Sequence, residues 1–441
     1  MSIIKLLNKK IDRILFTTPS HNQHSMYSRD FDDFYKHDLS EIDGFDNLQN
    51  PKGAIMVAQG KASEIFKTKA TYFIVQGATT AILAAMKAVI SPGDKVLVAR
   101  NCHKSVYNGL ILTAGLIDWI MPEVDEEWGI YTHIDTNKLK KTLELNDYKA
   151  FILTSPTYEG VNSDIEEIAS VCKNHNTYLI VDESHGSLYN FSNDLPKTAI
   201  EQGADVSINS LHKTAGALNQ CALLHISNNI RNIELEIFQK ALNIFQTTSP
   251  SYPLLENIEA CLNFLNSNQG ILELSNLLSN IEKMKSDLDR FGVEFYNNEN
   301  HDPTKLLFKK EGISGFDLSD SLFEEFNIED ELCNERSSLC LTGIGTTRQK
   351  LDKLKSALKK VMTNPSYKPE KVEFQPHPLV KIQPVSSFNR NYVYVNREDS
   401  YMKISNKIVV PYPPGFGILY PGEVIQEWHL RYLDDNVQVI C

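Results

Sequence analysis

Between Thr71 and Ile226, short apolar runs alternate with helical patterns, and this alternation limits the possible folds more than any other feature of the chain. The runs predicted as strands are Tyr72–Val75, Lys95–Ala99, Ile117–Ile120, Ala150–Thr154, Tyr178–Asp182 and Val206–Asn209. Each is apolar almost throughout, as strands buried on both faces must be. Helical patterns follow Gly77 and His103, and Ile165, Ile168, Ala169 and Cys172 recur at helical spacing within 164–175. Cys221–Ile226 reads as one more strand. The alternation predicts an α/β domain built on a mostly parallel sheet.

After that the pattern changes. Long helices are expected around 232–244 and 254–290. Short strands follow at 292–295, 305–308 and 337–341, with helices at 315–325 and 347–362, which is an α+β arrangement. The expected division is an N-terminal arm (1–50), a large domain (51–270) and a smaller α+β C-terminal domain (271–441). The last includes the Pro- and Gly-rich segment 411–423, and the Pro- and Lys-rich stretch 365–384 reads as a linker.

Three successive strand ends carry polar groups: Ser155-Pro-Thr157, Asp182-Glu-Ser-His185 and Ser210-Leu-His212-Lys213-Thr214. Ligands of open parallel sheets bind just beyond the carboxyl ends of the strands, so these clusters are expected to share one crevice. The residue types fit pyridoxal 5′-phosphate (PLP). Lys213 can carry the cofactor as a Schiff base, and Asp182 can hold a pyridine nitrogen protonated. The turn Gly77-Ala78-Thr79-Thr80 before a helix can cradle a phosphate, with Ser210 and His212 as further contacts. Alone, each group has an ordinary reading as a turn glycine, a helix cap, a solvated lysine or a structural histidine. Together they fall at one end of one sheet in the order the cofactor requires.

Composition excludes other classes. A net charge of −12 argues against a nucleic-acid binder. No apolar run reaches the length of a membrane span, and the basic start lacks the core of a signal peptide. The seven cysteines show no Cys-x-x-Cys spacing, so reduced thiols and a cytoplasmic location are expected, without a metal.

The motifs resemble those of the fold-type-I ornithine/lysine/arginine decarboxylases, in the short form without a wing domain. The match runs through Phe16-Thr-Thr-Pro-Ser-His21, Asp38-Leu-Ser-Glu41, Gly77-Ala-Thr-Thr80 and 94–105. It continues through Thr154-Ser-Pro-Thr-Tyr-Glu-Gly160, Val181-Asp-Glu-Ser-His-Gly186, Ser210-Leu-His-Lys-Thr214, Gly345-Thr-Thr-Arg348 and the Pro-Tyr-Pro-Pro-Gly segment. The resemblance implies a PLP-dependent decarboxylase of a basic L-amino acid, with arginine first and then lysine or ornithine, serving polyamine biosynthesis. It also implies a seven-stranded-type sheet and an assembly of at least a homodimer. By the same resemblance His103 stacks on the cofactor ring, and His185 lies near its phenolic oxygen or the substrate carboxylate. Glu423 meets the substrate's distal cation. Ser184, Gly216 and Lys407 depart from the family pattern. They leave open an aminotransferase-like outcome on a modified amino acid, and an inactive PLP-binding regulatory homologue remains a third reading.

Overall fold

The structure is a computed structural model that describes residues 2–10, 32–42, 44–410 and 416–441. The matches at 16–21 and 411–415 lie outside the described residues. Seven strands form the central sheet: β1 (Ala70–Ile74), β2 (Lys95–Ala99), β3 (Leu116–Ile120), β4 (Ala150–Thr154), β5 (Tyr178–Asp182), β6 (Val206–Ser210) and β7 (Ala222–Ile226). Their order is β1-β7-β6-β5-β4-β2-β3. Only β7 runs antiparallel to its neighbours. All six other strands therefore end at the same edge.

Side chains alternate across the sheet because successive Cβ atoms point to opposite faces. Val96, Val98, Ile152, Ile180 and Ile208 pack on one face with helices Gly77–Val89 and Leu235–Phe245. Leu97, Ala99, Phe151, Leu153, Leu179 and Val181 pack on the other with helices Thr136–Leu145 and Ile165–Asn174. Burying one such Val, Leu, Ile or Phe contributes roughly 1.5–3 kcal/mol. Local caps set the helix starts: Asp164 accepts from the Glu167 amide, and Asp135 from the Lys138 amide.

The helix expected over 254–290 is two helices, Tyr252–Leu265 and Asn268–Leu288. The break is chemical. Ser267 caps the second helix by accepting from the Gly270 amide, and a Cβ on Gly270 would lie 2.1 Å from the Phe264 carbonyl oxygen. The second helix runs unbroken through the domain boundary expected at residue 270. A four-stranded antiparallel sheet follows, in the order Val293–Phe295, Lys305–Lys310, Ser338–Leu341, Leu332–Cys333. Helix Arg348–Lys360 packs on Asn268–Leu288, but the residues after Gln375 do not continue that domain. They lean on the large one: the Ile117 amide donates to Gln383 Oε1 at 2.8 Å, and Tyr107 Oη donates to the Pro421 carbonyl at 2.6 Å. The antiparallel pair Tyr392–Asn396/Asn436–Ile440 closes this C-terminal layer.

Candidate active site

The shared edge opens into a cavity of about 380 Å³, within the range of small-molecule sites. Of the residues singled out by sequence, Ala78, Thr79, His103, Asp182, Ser184, His185, Ser210, His212 and Lys213 line it. Each sits at or just beyond a strand end: Ala78 and Thr79 after β1, His103 after β2, Asp182 at the end of β5 with Ser184 and His185 after it, and Ser210 at the end of β6 with His212 and Lys213 after it.

Lys213 Nζ lies 2.9 Å from His185 Nε2 and 5.7 Å from the centre of the Tyr158 ring. Tyr158 and His185 pack tilted, with centroids 4.5 Å apart. Burial pushes the Lys213 ammonium down from its ordinary range, while Asp182 and Glu331 pull it up. His185 is held well below the usual imidazole range, first by burial and then by the charges of Lys213 and Lys305. It is therefore neutral, with Nε2 accepting from Lys213. Asp182 is anchored by its neighbour: Ser184 Oγ donates to Asp182 Oδ1 at 2.5 Å, and the Ser184 amide adds a second bond at 3.2 Å. His103 caps helix Lys104–Thr113, its Nδ1 accepting from the Ser105 amide at 3.2 Å and from Ser105 Oγ at 2.7 Å. Burial lowers its pKa despite Asp182, so the ring is neutral with its proton on Nε2.

The helix that starts at Gly77 has no side-chain cap. Gly77 adopts φ +81°, which favours glycine, and its own amide donates to the Gln220 carbonyl. That leaves the Ala78 and Thr79 amides in the first turn facing the cavity, the arrangement that binds phosphate. Three cavity-lining atoms, Thr154 Oγ1, His185 Nδ1 and His212 Nδ1, are buried with no partner among the described residues. A lysine, a fixed carboxylate, a flat neutral imidazole, an uncapped helix and orphaned polar atoms together fit the phosphorylated, lysine-bound cofactor expected from sequence.

Two expectations need correction, and two of the departures from the family pattern find their place. The Thr80 hydroxyl turns back to the Gln76 carbonyl at 3.4 Å, and Thr80 does not line the cavity. Glu423 does not line it either. Its carboxylate is taken by buried Arg100, at 2.6 Å to Nη1 and 2.9 Å to Nη2, and also accepts from the Tyr420 amide. Arg100 is further held by Gln375 Oε1 and the Ile418 carbonyl, and its guanidinium carbon lies 4.5 Å from the Trp119 ring centre and 5.0 Å from that of Tyr420. Lys407 is exposed, pairs with Asp434 at 3.1 Å and does not line the cavity. Gly216 answers to space: it has φ +82°, and a Cβ there would lie 2.7 Å from Ile344 Cγ2.

Sequence reasoning placed Thr157 at the crevice but missed Asn101, Tyr131, Thr154, Tyr158, Glu159, Gln220 and Phe416 as lining residues. Tyr158 and Glu159 lay inside a quoted motif. Phe416 forms a backbone bridge with His103 and an edge contact with Tyr131, neither of which has a local signal.

Comparison with solved structures gives the fold. Lysine decarboxylase A from Pseudomonas aeruginosa matches with a TM-score of 0.85 at 18% identity, over 97% of this chain and 74% of that one. The Francisella novicida lysine decarboxylase matches at 0.83 and 17%, over 100% and 81%. The fold is thus that of the fold-type-I decarboxylases. The family itself follows from sequence: residues 5–306 match the model of the Orn/Lys/Arg decarboxylase major domain. Arginine decarboxylase of Bacillus anthracis is 31% identical over 98% of this chain and 91% of its own length. Arginine decarboxylase of Bacillus subtilis is 32% identical over 91% and 84%. The chain belongs to the Orn/Lys/Arg decarboxylase family and is an amino-acid decarboxylase.

Proposed function

We propose that the substrate is a basic L-amino acid, arginine before lysine or ornithine, and that PLP is held through Lys213. The observation that carries this is the convergence of Lys213, Asp182, His103 and the uncapped helix on one cavity. Bound there, PLP supplies an electron-withdrawing ring that takes up the electrons left when the carboxyl group departs. Asp182, fixed by Ser184, would hold the pyridine nitrogen protonated. His103 presents a flat, neutral ring to stack on it. The Ala78 and Thr79 amides, with Ser210 and His212, would hold the phosphate. His185 keeps Lys213 oriented, and its Nδ1–H is free for an anionic group of the substrate.

Asp182 and Glu159 are the two carboxylates that line the cavity among the described residues. With Asp182 engaged, we assign Glu159 to the cationic end of the substrate in place of Glu423. Arginine leads because the relatives matched along nearly the whole chain include several arginine decarboxylases. We further propose a cytoplasmic enzyme that acts as a homodimer and supplies an amine for polyamine synthesis. Mass spectrometry of products from arginine, lysine, ornithine and diaminopimelate tests the reaction. An amine lighter by CO2 from one of the basic amino acids is expected. Cofactor converted to its amino form without CO2 release would refute decarboxylation.

A further inference from the structure

Lys305 opens the second strand of the four-stranded sheet and is completely buried. Among the described residues its Nζ has one hydrogen-bond partner, the His185 carbonyl, at 3.5 Å. No carboxylate among the described residues comes within ion-pair distance of it. The route to this position is built. Gly160 has φ +100°, and a Cβ there would lie 2.5 Å from Lys305 Cγ, so only glycine lets the lysine stem pass. The Lys305 amide donates to the Asp302 carbonyl, and Asp302 Oδ1 is bonded by the Thr304 amide and hydroxyl at 2.8 and 2.7 Å.

Lys310 is a useful contrast on the same strand. Its ammonium donates to the carbonyls of Leu358 and Val361, each at 2.7 Å, and so ties down the end of helix Arg348–Lys360. That is a satisfied structural role. Lys305 has no such satisfaction. An apolar side chain of similar length would spare the chain a costly desolvation. What distinguishes the position of Lys305 is its neighbour: it sits directly behind the residue that touches Lys213.

We propose that Lys305 is a second lysine of the active site, whose ammonium holds His185 uncharged and directed at Lys213. It is a positioning residue, acting through His185, and the proposal rests on Lys213 being the lysine that carries the cofactor. His185 faces the charges of Lys213, Lys305, His212 and His103. Lys305 in turn faces Asp302, Lys213 and Glu331, and burial pulls it down to about 8, so a large share of it remains charged near neutral pH. Glu331 is itself engaged by the Tyr158 hydroxyl.

The test is a pH titration of the visible absorbance of the holoenzyme in wild type, Lys305→Met, Lys305→Arg and His185→Gln. Without Lys305 the His185 ring can take up a proton, and a cation 2.9 Å from Lys213 disfavours protonation there, so the titration moves downward. Lys305→Met is expected to lower the midpoint by about one pH unit, the effect of one buried neighbouring charge. Lys305→Arg is expected to leave it near wild type. In the His185→Gln background, Lys305→Met is expected to add no further shift. A wild-type midpoint in Lys305→Met, an equal shift in Lys305→Arg, or a full shift without His185 would each overturn the proposal. Should Lys305→Met not fold, Lys305→Gln, which keeps a donor for the His185 carbonyl, carries the same expectations. Lys213→Ala separates the underlying reading: retained lysine-linked absorbance in that variant would sink the assignment of Lys213 itself.

Discussion

Replacing Glu423 by Gln isolates the ion pair that ties the C-terminal layer to the large domain. Arg100 is fully buried, and Glu423 supplies both of its charge-bearing contacts. Gln preserves shape and one acceptor but removes the charge. Leaving a buried cation without its partner costs about 3–5 kcal/mol. A chain of this kind has net stability on the order of 5–15 kcal/mol, so the loss is large. Chemical denaturation of the holoenzyme should register it as a lower midpoint with an unchanged slope. The double variant Arg100→Met/Glu423→Leu removes both charges and should recover most of the loss, because an apolar pair avoids the desolvation of both ions. The cavity should respond as well, since Phe416, two residues before Ile418 and its bond to Arg100, pairs with His103. A loss below about 1 kcal/mol, or a double variant as unstable as the sum of the singles, would refute the clasp. A selective rise in KM for basic substrates with stability intact would return Glu423 to the substrate role expected from sequence.

Three further outcomes are expected. His225 is buried between Thr71 Oγ1 and Asn209 Oδ1, each at 2.9 Å, and burial depresses it to about 3. Its folded pKa lies below its unfolded one, so its contribution is present above about pH 6.5 and is lost as pH falls toward 3, on the order of 4 kcal/mol at full protonation. His225→Gln should flatten stability against pH in that window. Glu159→Gln should raise KM for arginine about tenfold or more while the cofactor absorbance stays unchanged, the cost of one lost charge-assisted contact. An unchanged KM would remove Glu159 from the substrate's path. Lys407→Ala should leave KM and stability within about 0.5 kcal/mol of wild type, as for an exposed pair.

The sheet was legible because its strands are buried on both faces, which writes them as unbroken apolar runs such as Val96–Ala99 and Leu179–Val181. Strand ends were legible for the opposite reason: Asp182 and Ser210 interrupt those runs where the chain meets a ligand. The helix break at Asn266-Ser267 was hidden, because apolar spacing continues across it and only Ser267 marks a start. Lys305 fell in a run predicted only as a strand, and nothing local tells it from Lys310. Arg100 and Glu423 each sat in a recognised motif, yet their pairing joins residues 323 positions apart. Side-chain chemistry visible in sequence gives candidate roles, and only packing decides which partner takes a charged group first.

The strand order also dictates a sequence of assembly on the ribosome. β2 and β3 pair as neighbours, and β4, β5, β6 and β7 then add one at a time in the order of synthesis. β1 is made first and joins last, since its one partner in the sheet is β7, whose final residue is Ile226. Until then β1 is an unpaired apolar strand, and the turn at Gly77 lacks the Gln220 carbonyl that fixes it. The turn proposed to cradle a cofactor phosphate is therefore complete only after half the chain has emerged. Factors that shield nascent strands would have to cover β1 through about 150 residues of elongation.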